Sequence, residues 1–213
     1  MTNNVTATEY PEPVDLEALI RSYEPDGERG PFSISSCPKH LTWSVESLSD
    51  RAGISLARAY AGLLERGMHE IWRCPGARDL QRAREVIVAR GDQDEMRWID
   101  TWEFDVPTAD TGKSTPKMRL SVEDILTPLG KLAKVLGFDK SQTAILALTV
   151  MLLHDPEVPI RYHEAHCNLV RDFAEKLRVR AKKATEYAGR RVDPTGSAPP
   201  RRYSLDDIIG VRV

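Results

Sequence analysis

The 213 residues are 41% hydrophobic and 29% charged, the balance of a chain able to bury a core. No apolar run reaches the roughly 18 residues of a membrane span, and Met1–Val5 lacks the basic and apolar regions of a secretory signal. Cys37, Cys74 and Cys167 are too few and too far apart for a disulfide framework, which points to a cytoplasmic chain, and the net charge of −2 gives no compositional pointer to nucleic acid.

Charge is unevenly distributed. Residues 1–36 hold seven acids against Arg21 and Arg29, a net of −5, whereas 169–191 hold eight bases against three acids, a net of +5. Such asymmetry permits an anion-binding face on a near-neutral protein.

The first ten residues are polar and carry no structural pattern, and Val14–Tyr23 has the spacing of a short helix within an acidic segment, 1–36. Pro25, Gly27, Gly30, Pro31 and Pro38 make 24–38 a loop. Lys39–Val45 alternates apolar and polar residues, which predicts a strand, and two short helices split at Gly53-Ile54-Ser55 complete a unit over 37–72. The connecting region, 73–116, holds a helix over Asp79–Ala89, an extended stretch over Met96–Val106 and a linker from Pro107. A second unit, 117–155, begins with an alternating strand, Lys117–Val122. It continues with the two strongest helices of the chain, Glu123–Leu136 and Lys140–Leu153, split at Gly137-Phe138-Asp139. A basic helix over about 162–188 fills the region 156–192, and 193–213 is a tail in which Ser204 and Asp207 have capping-box spacing.

The two units share a repeat. Trp43-Ser-Val-Glu-Ser47 matches Leu120-Ser-Val-Glu-Asp124, and each is followed by helix, glycine turn and helix. Strand, helix, turn and helix in this order resemble the ribbon-helix-helix (MetJ/Arc-like) family of DNA-binding proteins. The second copy carries the resemblance over some 36 residues, and the two copies together cover about a third of the chain. The resemblance implies an α+β fold, mainly α with short β-strands, built from tandem ribbon-helix-helix units plus a C-terminal helix. The first copy departs from the pattern. Val45 to Gly53 spans eight positions where Val122 to Gly137 spans fifteen, so a helix-turn-helix with Leu56–Arg66 as recognition helix is the alternative.

One strand is not stable alone, so the family's strands pair into a ribbon that fits the roughly 12 Å major groove of B-DNA. The outward residues, expected to contact bases, are Lys117, Arg119 and Ser121 in one strand and His40, Thr42 and Ser44 in the other. Expected phosphate contacts are Lys140 and Ser141 at a helix N-terminus, Ser55 at its counterpart, and Arg178 and Lys182 on the basic helix. The implied partners are double-stranded DNA and a second copy of the chain, without a membrane. The implied function is that of a transcriptional repressor or a plasmid or viral copy-number or partition factor. The rival is a helical, dimeric scaffold that binds no DNA.

Chemistry-bearing groups elsewhere are less organised. Cys37, His40, His69 and Cys74 are of the types that hold zinc but have irregular spacing, and His154, His163, His166 and Cys167 form a looser group, so no metal is expected. Gly112-Lys-Ser-Thr115 resembles the end of a phosphate-binding loop, but a proline stands where its first glycine belongs. Asp92, Asp94 and Glu95 fall in a polar turn, and no nucleophile stands beside a base in a recognisable motif, so neither catalysis nor a cofactor is expected.

Overall fold

The computed structural model describes residues 14–91 and 112–190, which are mostly helical with two short antiparallel strand pairs. The expected stretch Met96–Val106, the polar turn at 92–95 and the tail from 193 lie outside the described residues. In chain order the elements are α1 (Leu16–Ser22), β1 (Arg29–Ser33), β2 (Cys37–Pro38), α2 (Lys39–Ala52), α3 (Leu56–Arg73) and α4 (Pro75–Ala89). After the undescribed interval come β3 (Lys113–Ser114), β4 (Lys117–Ser121) and a turn of π-helix at Val122–Leu126. Then follow α5 (Thr127–Leu136), α6 (Lys140–Leu152) and α7 (Ile160–Arg190).

Two interleaved helix pairs make the body. α3 packs against α6, and α4 packs along α7. Every residue of α6 from Thr143 to Leu152 is buried, as expected of a helix apolar all round and enclosed on all sides. Its two threonines are satisfied within the helix, Thr143 donating to the Asp139 carbonyl at 2.8 Å and Thr149 to that of Ile145 at 2.7 Å. No single helix among the described residues is long and apolar enough to cross a membrane.

The glycine turns of the repeat have the same construction. Gly53 ends α2 with φ 66°, and Gly137 ends α5 with φ 74°, a left-handed conformation that glycine adopts without Cβ strain. Two residues on, Ser55 caps α3 by accepting from the Arg58 amide at 3.4 Å, and Asp139 caps α6 in a reciprocal capping box with Gln142.

The strand expected at 39–45 is instead the first half of α2. Pro38 stands at its N-terminal boundary, and Leu41, Val45, Leu48 and Ala52 recur at helical spacing and are all buried. The alternation was accidental: Trp43, the middle apolar residue of the expected strand face, is 49% exposed. This also explains the short first copy. The turns missing between Val45 and Gly53 lie upstream, so α2 has 14 residues and matches the length of its counterpart.

The strand expected at 117–122 is present as β4, but its partner is not the first copy. β4 pairs antiparallel with β1, inside the segment read as a loop, with Arg29 opposite Ser121 and Ser33 opposite Lys117. Gly30 and Pro31 hid this strand, because both are poor strand formers. In a two-stranded ribbon every strand is an edge, where a proline without an N–H is tolerated. The expected linker contains β3, which pairs with β2, Cys37 opposite Ser114. The register shifts by one residue between the two pairings, and Ser36 has φ 55°, so the first strand bulges there. Ile34 donates to the Pro116 carbonyl and Lys39 to that of Gly112, both at 3.1 Å. Residues 29–39 and 112–121 are therefore one long, bulged, two-stranded ribbon.

The tightest place in the packing is where α3 crosses α6. A Cβ on Gly67 would fall inside the van der Waals shell of the Ala147 backbone carbonyl. Gly67→Ala should therefore lower stability by about 2–3 kcal/mol in urea denaturation, the cost of overpacking where backbone cannot give way. Gly189→Ala, in an exposed and open stretch of α7, should be neutral or mildly stabilising because alanine is the better helix former. Equal stabilities for the two variants would show that the crossing is not limiting.

Candidate nucleic-acid interface

The ribbon has two unlike faces. Gly30, Phe32, Met118 and Leu120 turn toward the helices, with Gly30 lying so close to Leu126 and Val122 that a side chain there would press on both. Arg29, Pro31, Ser33, Lys117 and Arg119 alternate with them and are exposed. Lys39 and Lys113, at the far end of the ribbon, are exposed as well. Residues 29–39 and 112–121 thus present five cations and contain no acid.

Arg119 is oriented by the ribbon itself, donating from Nη2 to the Arg29 carbonyl at 2.8 Å. An arginine has five N–H donors, so this bond leaves others for a ligand. The N-terminus of α6 abuts the same ribbon. Ser141 Oγ accepts from the Ser35 amide at 3.0 Å and donates to the Ser33 carbonyl at 3.5 Å, with exposed Lys140 beside it. These bonds set Ser141 beside the strand position opposite Lys117, while the end of the Lys140 side chain lies over Gly130 of α5. Asp139, the cap of α6, is the acid closest to this cluster in sequence.

The other expected contacts are placed differently. Ser121 is 1% exposed, donates to the Asp26 carbonyl at 2.8 Å and accepts from the Asp124 amide at 3.2 Å, so it ends the strand and caps the following turn. His40, Thr42 and Ser44 lie on α2 rather than on a strand. His40 is buried, Ser44 Oγ donates to the His40 carbonyl at 2.9 Å, and Thr42 shares a hydrogen with Ser114 at 2.8 Å and donates weakly to the Cys37 sulfur. His40, Ser44 and Ser121 therefore do not face outward as a base contact must, and the half-buried Thr42 is engaged by Ser114. Ser55 caps α3, away from the ribbon strands in sequence. Arg178 and Lys182 are exposed on α7, which packs chiefly on α4 and α6, and Lys182 is 3.9 Å from Glu186. They belong to a separate face. The alternative recognition helix, α3, is largely enclosed. Its Arg58 is engaged by α1, donating to the carbonyls of Tyr23 at 2.7 Å and Arg21 at 2.6 Å.

Sequence reasoning missed Arg29, Lys39 and Lys113. The available signal was an acid-free interval on each strand, which only the pairing turns into one surface.

The buried histidines form a separate cluster. His40 stacks on Tyr162 with ring centroids 5.2 Å apart and lies 5.1 Å from the His166 ring, joining α2 to α7. His166 is 1% exposed, and neither ring nitrogen has a hydrogen-bond partner among the described residues. Burial, then the repulsion of His40 and His163, pushes its pKa down to about 3. Cys37 is buried and its thiol is pushed up to about 11, mainly by desolvation. Among the described residues no three His, Cys, Asp or Glu side chains converge as metal ligands, so the two cysteine-histidine groups of the sequence are not brought together in that way.

No protein-family model, curated protein or solved structure matches the chain.

The histidine cluster sets an acid limit on stability. An unfolded His166 takes up a proton near its ordinary pKa, whereas the folded one resists until about 3. Between those values the unfolded state binds more protons, so stability falls as pH drops below about 6.5. Urea denaturation at pH 7.5 and pH 5 should show a loss of up to about 2 kcal/mol attributable to this group. His166→Phe should flatten that dependence, and an unchanged slope in the variant would assign it elsewhere.

Proposed function

We propose that this chain binds double-stranded DNA sequence-specifically, by laying the β1–β4 ribbon in the major groove. The observation that carries the reading is the set of five exposed cations, with no acid in either segment, three on the β1–β4 ribbon and two where β2 and β3 lead into and face the start of α2. A ribbon of this width enters a major groove, and its outward side chains meet base edges. Arg119 and Lys117 are the base readers, Arg119 by a bidentate contact to guanine. Lys140 and Ser141, at the N-terminus of α6 where unpaired amides favour an anion, take a backbone phosphate, with Arg29, Lys39 and Lys113 adding charge along the strand. A repressor, or a plasmid or viral copy-number or partition factor, is the role that such readout serves.

The ribbon is made within one chain, so a second copy is not required to complete it. A homodimer would serve instead to read two half-sites, which adds affinity and spacing specificity. The rival reading, a scaffold dimerised through α6, has less support because α6 is already enclosed by its own chain.

Fluorescence anisotropy with a random-sequence duplex across a salt series tests the proposal. Neutralising four or five phosphates predicts a log–log salt slope of about −4. Lys113→Ala and Lys140→Ala should each reduce the slope by about 1, and Arg119→Ala should erase preference for sites selected from a random library. Absence of binding at low salt would sink the reading. Losses confined to an Arg178→Ala, Lys182→Ala double variant would move the interface to α7.

A further inference from the structure

The N-terminal end of α7 presents a thiol and an imidazole for which the ribbon has no use. Ile160, His163 and Cys167 stand at i, i+3 and i+7 of this helix, so they share one face. Ile160 is 81% exposed, His163 is exposed and Cys167 is half-buried. Cys37 and Cys74 are fully buried, which leaves Cys167 as the thiol within reach of solvent.

The Cys167 Sγ lies 3.6 Å from Nδ1 of His163. Zinc holds a thiolate at about 2.3 Å and an imidazole nitrogen at about 2.0–2.1 Å, in a tetrahedron. At a tetrahedral angle of about 109° those bonds set sulfur and nitrogen about 3.5 Å apart, which matches the pair on α7. A linear, two-coordinate ion would need them farther apart. Burial raises the pKa of the thiol, with Arg171 opposing and Glu164 adding, so an incoming metal ion displaces the thiol proton to solvent.

One chain supplies half of such a site. Among the described residues no three His, Cys, Asp or Glu side chains converge as ligands, whereas a closed zinc site has four. In a two-fold dimer the same patch of each copy meets its twin. Two such pairs give two thiolates and two imidazoles, a common structural zinc set in which the thiolates neutralise the divalent ion. Ile160, on the same face and largely uncovered by its own chain, gains apolar cover where the two copies meet.

We propose that the His163–Cys167 face of α7 is a half-site for a divalent ion of the zinc class, completed by the same face of a second copy.

The test uses the full chain without DNA, so its outcome is separate from that of the ribbon reading. The protein, kept reduced with a phosphine, is titrated with Co²⁺ as a spectroscopic stand-in for Zn²⁺, and its mass is followed by light scattering. A thiolate-to-cobalt band in the near ultraviolet and the intense visible bands of a tetrahedral ion are expected. They should saturate at one ion per two chains, as the mass doubles, and a chelator should reverse both. Cys167→Ser should abolish the near-ultraviolet band, and His163→Gln, which keeps the thiol, should weaken uptake by at least roughly tenfold. Both positions reach solvent, so both variants should melt with the parent, and His163→Gln alone suffices if Cys167→Ser does not fold. Absence of the bands overturns the proposal, as does saturation at one ion per chain without a change of mass. Undiminished uptake in His163→Gln, or a thiolate band that survives Cys167→Ser, also overturns it.

Discussion

The close crossing of α3 and α6 is the constraint on which the rest depends. Gly67 has no side chain, so the α3 backbone lies directly on the Ala147 peptide. That approach lets α3 cover α6 tightly enough for ten consecutive residues, Thr143 to Leu152, to be buried. A helix so apolar could not remain in water. Here the chain covers it with its own α3, and the ribbon follows the same logic. β4 finds its partner in β1 of the same chain, so this ribbon is formed without a second chain.

From that core the ribbon acquires a defined position. Gly30 allows the strands to lie close on Val122 and Leu126, and Ser141 ties the first strand to the head of α6 through Ser33 and Ser35. Arg51 supports the body from the other side. Its Nη2 reaches both oxygens of the buried Asp155, at 2.8 and 2.9 Å, while its Nε donates to Glu17 at 3.3 Å. Arginine suits this bridge from α2 to α1 and the loop before α7, because its several N–H donors serve two carboxylates at once. The exposed cations are therefore carried by a frame rather than by a free loop, which preorganises them.

Charge is separated across this frame. The ribbon strands hold cations alone, whereas Glu24, Asp26 and Glu28 of the acidic N-terminal segment directly precede them in the chain. A net charge of −2 is the sum of these unlike surfaces and describes neither.

The sequence by itself determined the local elements whose signals are local. The helices after Asp139 and before Ala89, the glycine turns at Gly53 and Gly137 and the strand at Lys117 are set by neighbouring residues, and all were legible. Residues 39–45 misled because seven residues satisfy alternation by chance, and the helical spacing that overrides it extends to Ala52. Arg29–Ser33 was illegible for the opposite reason: a strand containing glycine and proline has no propensity of its own and exists because β4 pairs with it. Of the candidate site, Lys117, Arg119, Lys140 and Ser141 were visible from one strand and one helix start. Arg29, Lys39 and Lys113 join them only through pairing across some eighty residues, and His40, Ser44 and Ser121 leave the surface through packing. Burial and strand partnership are long-range properties, decided by what the core encloses rather than by the residues on either side.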